Sequence, residues 1–381
     1  MRHPLARAGL ALTTAMGVAL AASGCFAGSD SSSSGNENAP AANVAEGSQI
    51  SDERCQKNKD AGKIVYLTGY QYQASASILE YIAADKLGYF KALCLDVEIQ
   101  PGTGDSMGNA RMVAAGQVQV TPISLQEIIG ARVEGEGSKI VGISAYSSSG
   151  LDVLMTNKDV NNLTQLEGKI LGHKGKVPTS VEAMLKKAGV KYDAVQQVKV
   201  GYDATVLPRG EVQALTGFIS NEPNQLAAQN KDVTVWRPFT FGIPSSIGGM
   251  AANPDFVTKH PTAAQDFMRA GFHAYEYCAD DAKVSECVGY ATEAAGGASD
   301  AYDPKHQEKI WKTEVAEIEA TRTKTVALGA LDLGHISSLV TFLKEANAMP
   351  ASVTEETAKT YFDTSVVEGL YDADQLIWPA P

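Results

Sequence analysis

KIVYLTGYQYQASASILEYIAADKLGYFKALCLDVEIQ, residues 63–100, is the stretch in which the fold can be read. Lys63 to Thr68 is a short apolar run bounded by Gly69, the mark of a buried strand. From Ser75 to Leu87 the residues Ile78, Tyr81, Ile82 and Leu87 fall close to one helical face, and Gly88-Tyr89-Phe90 ends the run. Leu95 to Gln100 alternates as a second strand and stops at Pro101-Gly102. Strand, helix, strand in so short a span is a βαβ unit, and such a crossover sets its two strands parallel.

The same order continues outward. A helix is expected from Ser106 to Ala115, a strand from Gly116 to Thr121, a helix from Leu125 to Val133 and a strand from Lys139 to Ala145. After Ser147-Ser148-Ser149-Gly150 the pattern restarts, with strands at 151–156, 168–172, 196–200, 214–219 and 233–236 and helices at 180–188 and 224–229. Beyond Phe239 the chain reads as helical to its end, including Phe256 to Tyr277 and Gln307 to Ala320. Alternating strands and helices predict an α/β fold with largely parallel sheets. The expected division is lobe 1 over 62–147 plus 240–381 and lobe 2 over 148–239, with the chain crossing near 147–150 and again near 237–243.

The start of the chain is an export signal. Arg2, His3 and Arg7 precede an uncharged apolar run, Ala8 to Ala22, too short to span a bilayer comfortably and suited to a signal peptide over 1–24. Ala21-Ala22-Ser23-Gly24-Cys25 resembles a bacterial lipobox, with Ala22 where leucine is commoner, so Cys25 is the expected lipidation (palmitate) site. Residues 25–61 are expected to form the lipidated cysteine and a disordered tether, since Gly, Ser, Asn and Ala there cannot bury enough surface to offset chain entropy. The expected location is therefore the extracytoplasmic face of the cell membrane, through a lipid anchor. The chain of 381 residues is 44% hydrophobic and carries a formal charge of −12. Losing Arg2 and Arg7 with the leader takes this to about −14, with no basic stripe for nucleic acid.

Four cysteines remain after Cys25: Cys55, Cys94, Cys278 and Cys287. An even set in an exported chain argues for disulfides. Cys278 with Cys287 can staple a helical corner, and Cys55 with Cys94 can tie the start of the body to the first βα unit. Four cysteines allow three pairings, and the sequence does not choose among them. No spacing fits a zinc site.

Several short segments, in order, resemble one family. Lys86-Leu-Gly-Tyr-Phe-Lys91 followed by Leu95-Asp-Val-Glu-Ile99 resembles the opening of NMT1/THI5-like solute-binding proteins. Ala114-Ala-Gly-Gln-Val-Gln-Val120, Leu163-Thr-Gln-Leu-Glu-Gly-Lys-Ile170, Gly210-Glu-Val-Gln-Ala214 and Asn221-Glu-Pro223 resemble later segments of the same family. The resemblance implies a two-lobed type II periplasmic-binding-protein fold, with an interlobe hinge and a ligand cleft. It also implies the substrate-binding role in an ABC importer, with a permease and ATPase as partners, and the chain is expected to be a monomer. The family includes binders of thiamine pyrimidine precursors, riboflavin, nitrate and sulfonates.

In open α/β sheets, ligands meet the loops at the carboxyl ends of strands. That rule selects Tyr70, Gln71 and Tyr72 after the first strand, Ser106, Ser124, and Asn221 with Glu222 after the strand ending at Ile219; Trp236 lies near the second crossing. Ser106 and Ser124 can equally cap helices. Gly102-Thr-Gly-Asp-Ser-Met-Gly108 has GxGxxxG spacing, not the dinucleotide GxGxxG. Two tyrosines, a tryptophan and a carboxylate favour an aromatic or heteroaromatic solute with N–H donors, such as a thiamine pyrimidine precursor or a flavin-like ring. The alternative is a small anion (a sulfonate, nitrate or an aromatic carboxylate), which needs Arg132, Arg209 or Arg237 in the cleft; a further alternative is a surface receptor or adhesin with no transport role. No GxSxG elbow or HExxH spacing is present, so no enzyme activity, metal or cofactor is expected.

Overall fold

A computed structural model describes residues 49–135, 139–299 and 302–381. The expected leader, Cys25 and most of the tether lie outside the described residues. Of the range 25–61 expected to be a disordered tether, the described end is ordered: Asp52–Lys59 is a helix. Ser51 caps it by accepting from the Arg54 N–H. Acidic residues occupy its first turn and lysines its last, matching the helix dipole.

Two five-stranded sheets form the body. The first is ordered β2-β1-β3-β10-β4, from β1 (Lys63–Leu67), β2 (Asp96–Gln100), β3 (Val120–Pro122), β4 (Val141–Ser144) and β10 (Met250–Ala252). The second is ordered β7-β6-β8-β5-β9, from β5 (Asp152–Thr156), β6 (Ile170–His173), β7 (Gln196–Lys199), β8 (Ala214–Phe218) and β9 (Thr234–Trp236). A two-residue ribbon, β11 (Tyr371–Asp372) with β12 (Gln375–Leu376), lies near the end of the chain. In the first sheet β1 runs parallel to β2 and β3, as the βαβ reading requires. In the second, β6 runs parallel to β7 and β8. β5 is antiparallel to β8 and β9.

Three expectations fail locally, each for a physical reason. The helix expected from Ser75 begins at Leu79, because Ser77 takes a left-handed φ of 67° and the 75–78 segment closes as a turn on the Ser75 carbonyl. The stretch past Phe239 is not wholly helical. Met-Ala-Ala at β10 is helix-prone in isolation, but it inserts between β3 and β4, antiparallel to both, and the pairing decides. The long helix read across 256–277 breaks at His260, since Pro261 cannot donate to the preceding turn.

The main core lies on the first sheet. Tyr66, Tyr81, Phe90 and Phe267 pack ring to ring, with Tyr81 stacked on Phe267 at 5.0 Å and Phe90 at 5.5 Å from the same ring. Asp266, fully buried, accepts from Arg54 twice at 2.8 Å, from Asn58 at 2.7 Å and from Arg269 at 3.2 Å. That network pins the first helix to Pro261–Ala279. Two disulfides reinforce the same region: Cys55–Cys94 and Cys278–Cys287.

The chain leaves the first sheet after β4, returns after β9, and the two crossings run side by side. Tyr146 N–H donates to the Ile247 carbonyl at 2.8 Å, and Ser245 N–H to the Ser148 carbonyl at 3.3 Å. No helix among the described residues is long and apolar enough to cross a membrane.

Candidate functional site

The loops that leave β1, β6 and β8 at their carboxyl ends all turn toward the seam between the two sheets. The β1 loop is held by its neighbour. Gly102 N–H donates to the Thr68 hydroxyl at 3.0 Å, and Gly104 N–H to the Gly69 carbonyl at 3.1 Å. A Cβ at Gly102 would stand 1.9 Å from the Thr68 carbonyl oxygen, so only glycine permits this contact. The first glycine of that loop thus serves loop-on-loop packing.

The eight residues expected at the site separate into two groups. Tyr70, Asn221 and Glu222 lie at the seam. Tyr70 is 40% exposed; burial and then its neighbour Tyr202 raise its phenol above the ordinary range. Tyr202 in turn lies under the Lys174 ammonium, 5.3 Å from the ring centre, and Lys174 pairs with Glu222. Tyr70, Tyr202, Lys174 and Glu222 therefore form one chain of contacts from the first sheet's loop to the second's. Glu222 is buried, and its carboxylate also accepts from the Phe218 N–H at 2.7 Å and from Asn221 at 3.1 Å. It opens the helix Glu222–Ala228 with Pro223 in the first turn, two residues earlier than the sequence suggests. Asn221 accepts from Gln225 at 3.0 Å and from His306 at 2.8 Å.

The others are engaged locally. Gln71 donates to the Gly102 carbonyl at 3.3 Å. Tyr72 donates to the Ile99 carbonyl on β2 at 2.9 Å. Ser106 is in the first turn of Ser106–Ala114, but the cap is Asp105, which accepts from the Gly108 N–H at 2.8 Å. Ser124 opens Leu125–Val133 in a capping box and donates to Glu127 at 2.6 Å. Trp236 donates its indole N–H to the Thr156 hydroxyl at 2.9 Å and packs against the buried apolar cluster that includes Leu154 and Leu171.

The helix Pro304–Thr321, expected over Gln307 to Ala320 but given no part in the site by the sequence reading, lays a polar stripe along the second sheet's loops. His306 meets Asn221, Thr313 accepts from Asn224 at 3.1 Å, Glu317 pairs with Arg237, and the Thr321 carbonyl accepts from Ser148 at 2.6 Å. Residues 306, 313, 317 and 321 recur at helical spacing, so they share one face. Between them Glu314 reaches both sheets' loops. It accepts from the Ser75 hydroxyl at 2.9 Å, the Ala76 N–H at 2.6 Å and the Ser220 hydroxyl at 2.7 Å. Burial pushes its carboxyl up to about 7, with those three donors opposing the shift. Glu80, at the start of Leu79–Lys86, is equally buried and is also pushed up to about 7, mainly by burial. At the start of β5, Asp152 is pushed to about 6 by burial, opposed by the Ser180 hydroxyl at 2.7 Å.

The seam is therefore lined by serine hydroxyls and buried carboxylates, with two phenol rings at its edge. One signal could have exposed part of it: Glu80 stands alone in the apolar run Ile78-Leu79-Glu80-Tyr81-Ile82. Among the described residues, no group of three or more His, Cys, Asp or Glu is placed to hold a metal ion.

Comparison with known proteins agrees with this architecture. The NMT1/THI5-like family model matches residues 75–283, more than half of the chain. The fold is shared with the periplasmic nitrate-binding protein NrtA from Synechocystis PCC 6803, with a TM-score of 0.58 and 13% identity over 80% of this chain and 86% of that one. It is shared with the periplasmic aliphatic sulphonate-binding protein SsuA from Escherichia coli, with a TM-score of 0.55 and 13% identity over 84% and 96%. A DszB mutant in complex with biphenyl-2-sulfinic acid also matches, at a TM-score of 0.53 and 11% identity over 80% and 97%. No curated protein matches the chain in sequence. With two α/β sheets joined by paired crossings and a family match over most of both, the chain belongs to the NMT1/THI5-like family.

Proposed function

We propose that this protein is the solute-binding component of an ABC importer, a binder without catalytic activity. It captures a small molecule in the seam between its two lobes and hands it to a permease driven by an ATPase. The paired crossings Ser147–Gly150 and 237–246 act as the hinge, and the lobes follow the two sheets. Cys25 carries the lipid that holds the body at the extracytoplasmic face of the membrane, and the protein works as a monomer. The observation that carries this reading is that strand-end loops of both sheets converge on one seam, where Glu314 bonds to Ser75 and Ala76 on one side and Ser220 on the other. A solute held there would touch both lobes, so binding and closure would be one event.

The chemistry of the seam supports an aromatic or heteroaromatic solute bearing N–H donors. Tyr70 and Tyr202 offer ring faces, and the carboxylates offer acceptors. The anion reading has support in the nitrate- and sulphonate-binding proteins that share the fold. It needs free cations, and the three arginines expected to serve it are engaged. Arg132 donates to the Ile140 carbonyl at 2.9 Å, Arg209 pairs with Asp203 at 2.8 Å and Glu211 at 2.7 Å, and Arg237 pairs with Glu317.

Glu222→Gln separates the two readings. The substitution keeps an acceptor for the Phe218 N–H but removes the partner of Lys174. Calorimetry should show an aminopyrimidine binding about tenfold more weakly to the variant and benzenesulfonate no more weakly. A variant that binds the aminopyrimidine as the parent does would sink the heteroaromatic reading.

A further inference from the structure

Two buried carboxylates grip three consecutive residues at the seam. Glu314 holds the Ser75 hydroxyl and the Ala76 N–H, and Glu80 accepts from the Ser77 N–H at 2.7 Å and from the Tyr146 hydroxyl at 2.7 Å. Glu80 is 0% exposed and Glu314 1%. Each lies close enough that the Glu314 charge raises Glu80 further. Neither forms an ion pair with a lysine or arginine among the described residues; the nearby cations pair with other acids, Lys174 with Glu222, Arg237 with Glu317 and Arg322 with Glu319, although the Arg322 Nε itself has no partner.

Around this pair, three deeply buried oxygens have no hydrogen-bond partner: Ser77 Oγ, Glu80 Oε2 and Tyr275 Oη. Their residues are 3%, 0% and 3% exposed. The Tyr275 ring lies edge-on to Tyr146, 5.5 Å between centres, and the Tyr146 hydroxyl is the one that bonds Glu80; burial first, then the Glu80 charge, hold the Tyr275 phenol well above its ordinary range, with Glu319 and Glu314 adding to this and Arg322 opposing. The remaining titratable groups packed on Glu80 are Tyr66, Tyr81 and Tyr146, all neutral phenols held up by burial. Two neighbouring buried carboxylates cannot both ionise unless positive charge arrives with them. Three orphaned oxygens, one of a carboxylate and two of hydroxyls that each have acceptor lone pairs, can receive N–H donors.

We infer that Glu80, Ser77 and Tyr275, with Glu314 beside them, form the seat for a cationic nitrogen group of the solute, such as an ammonium, an amidinium or a protonated aminopyrimidine. This rests on the seam being the solute site, as proposed above. The cation's N–H groups meet Glu80 Oε2, Ser77 Oγ and Tyr275 Oη, and its charge is balanced by the two carboxylates. Because both carboxyls are pushed up to about 7 by burial, seating a cation below that pH displaces protons to solvent. Capture therefore weakens as pH falls.

The test uses the purified full chain with benzylammonium and benzenesulfonate as a matched pair of probes, read by calorimetry at pH 6 and pH 8. Benzylammonium should bind about tenfold more tightly at pH 8 than at pH 6, with net proton release at the lower pH. Glu80→Gln should weaken it at least about tenfold at pH 8 and flatten the pH dependence. Tyr275→Phe, which removes only an unpartnered hydroxyl and should fold as the parent does, should weaken it about threefold or more. Equal binding by the parent and both variants overturns the seat. Benzenesulfonate bound where benzylammonium gives no heat, and retained by both variants, overturns the seat while leaving solute capture standing. No heat with either probe also overturns the seat; the capture reading falls with it only if the chain takes up no small molecule from cell extract either.

Discussion

Glu80 shows how much one residue can hide in a sequence. It stands in a helix whose neighbours are apolar, and its burial follows from Tyr66, Tyr81 and Tyr146 closing over it. The lone charge was visible; the partner, Glu314, is more than two hundred residues away and could not be paired with it by pattern. Tyr70, Asn221 and Glu222 stand at the seam because each follows a strand end. Tyr72 and Trp236 share the residue type but not the direction, since their polar atoms bond to Ile99 and Thr156. Glu80 also sets a pH dependence of stability. Its carboxyl ionises near 4.5 when unfolded and at about 7 when folded, so between these values the native state holds a proton that the unfolded chain has lost. Stability from this group is fully expressed below about 4.5 and declines as pH rises to about 7. Glu80→Gln, which cannot ionise, should gain about 2–3 kcal/mol relative to the parent between pH 5 and pH 8. Urea unfolding at the two pH values measures this, and a variant that tracks the parent at both would contradict the buried position of the carboxyl.

At the scale of elements, the βαβ reading of residues 63–100 held because strand and helix periods differ and Gly69, Gly88 and Pro101 mark the ends. β10 escaped because three residues carry no period, and its strand state comes from neighbours on both sides. The strap helix Pro304–Thr321 was read as a weakly amphipathic helix; its weakness has a cause, since one of its faces is polar where it meets the second sheet's loops. The disulfides were legible as a set but not as pairs. Their loops differ in length, 39 residues for Cys55–Cys94 and 9 for Cys278–Cys287. Loop-closure entropy then predicts that replacing the first pair by alanine costs about 4 kcal/mol and the second about 2.5 kcal/mol. Denaturant unfolding of the two double variants should give that order. The reverse order would mean that the longer loop is already constrained in the unfolded chain. The Asp266 network offers an independent check on the same corner. Asp266→Ala strands Arg269, which is 1% exposed on its side chain, and should cost about 3–5 kcal/mol.

For the whole molecule, the order of motifs gave the architecture, because two runs of strand and helix must make two sheets and the chain must cross between them twice. What the sequence could not give is how the sheets face each other. That follows from the strap helix and from Glu314, whose bonds to Ser75, Ala76 and Ser220 make it the polar link between the two sets of loops. The same link explains why capture should depend on protonation: the groups that hold the seam together are the groups that would receive the solute. The most direct measurement is native mass spectrometry of the purified full chain after exposure to extract of the cells that make it. The account predicts one small molecule per chain, carrying a basic or N–H-bearing nitrogen, and its loss from Glu80→Gln. A bound oxyanion retained by that variant, or a chain that takes up nothing, would contradict it.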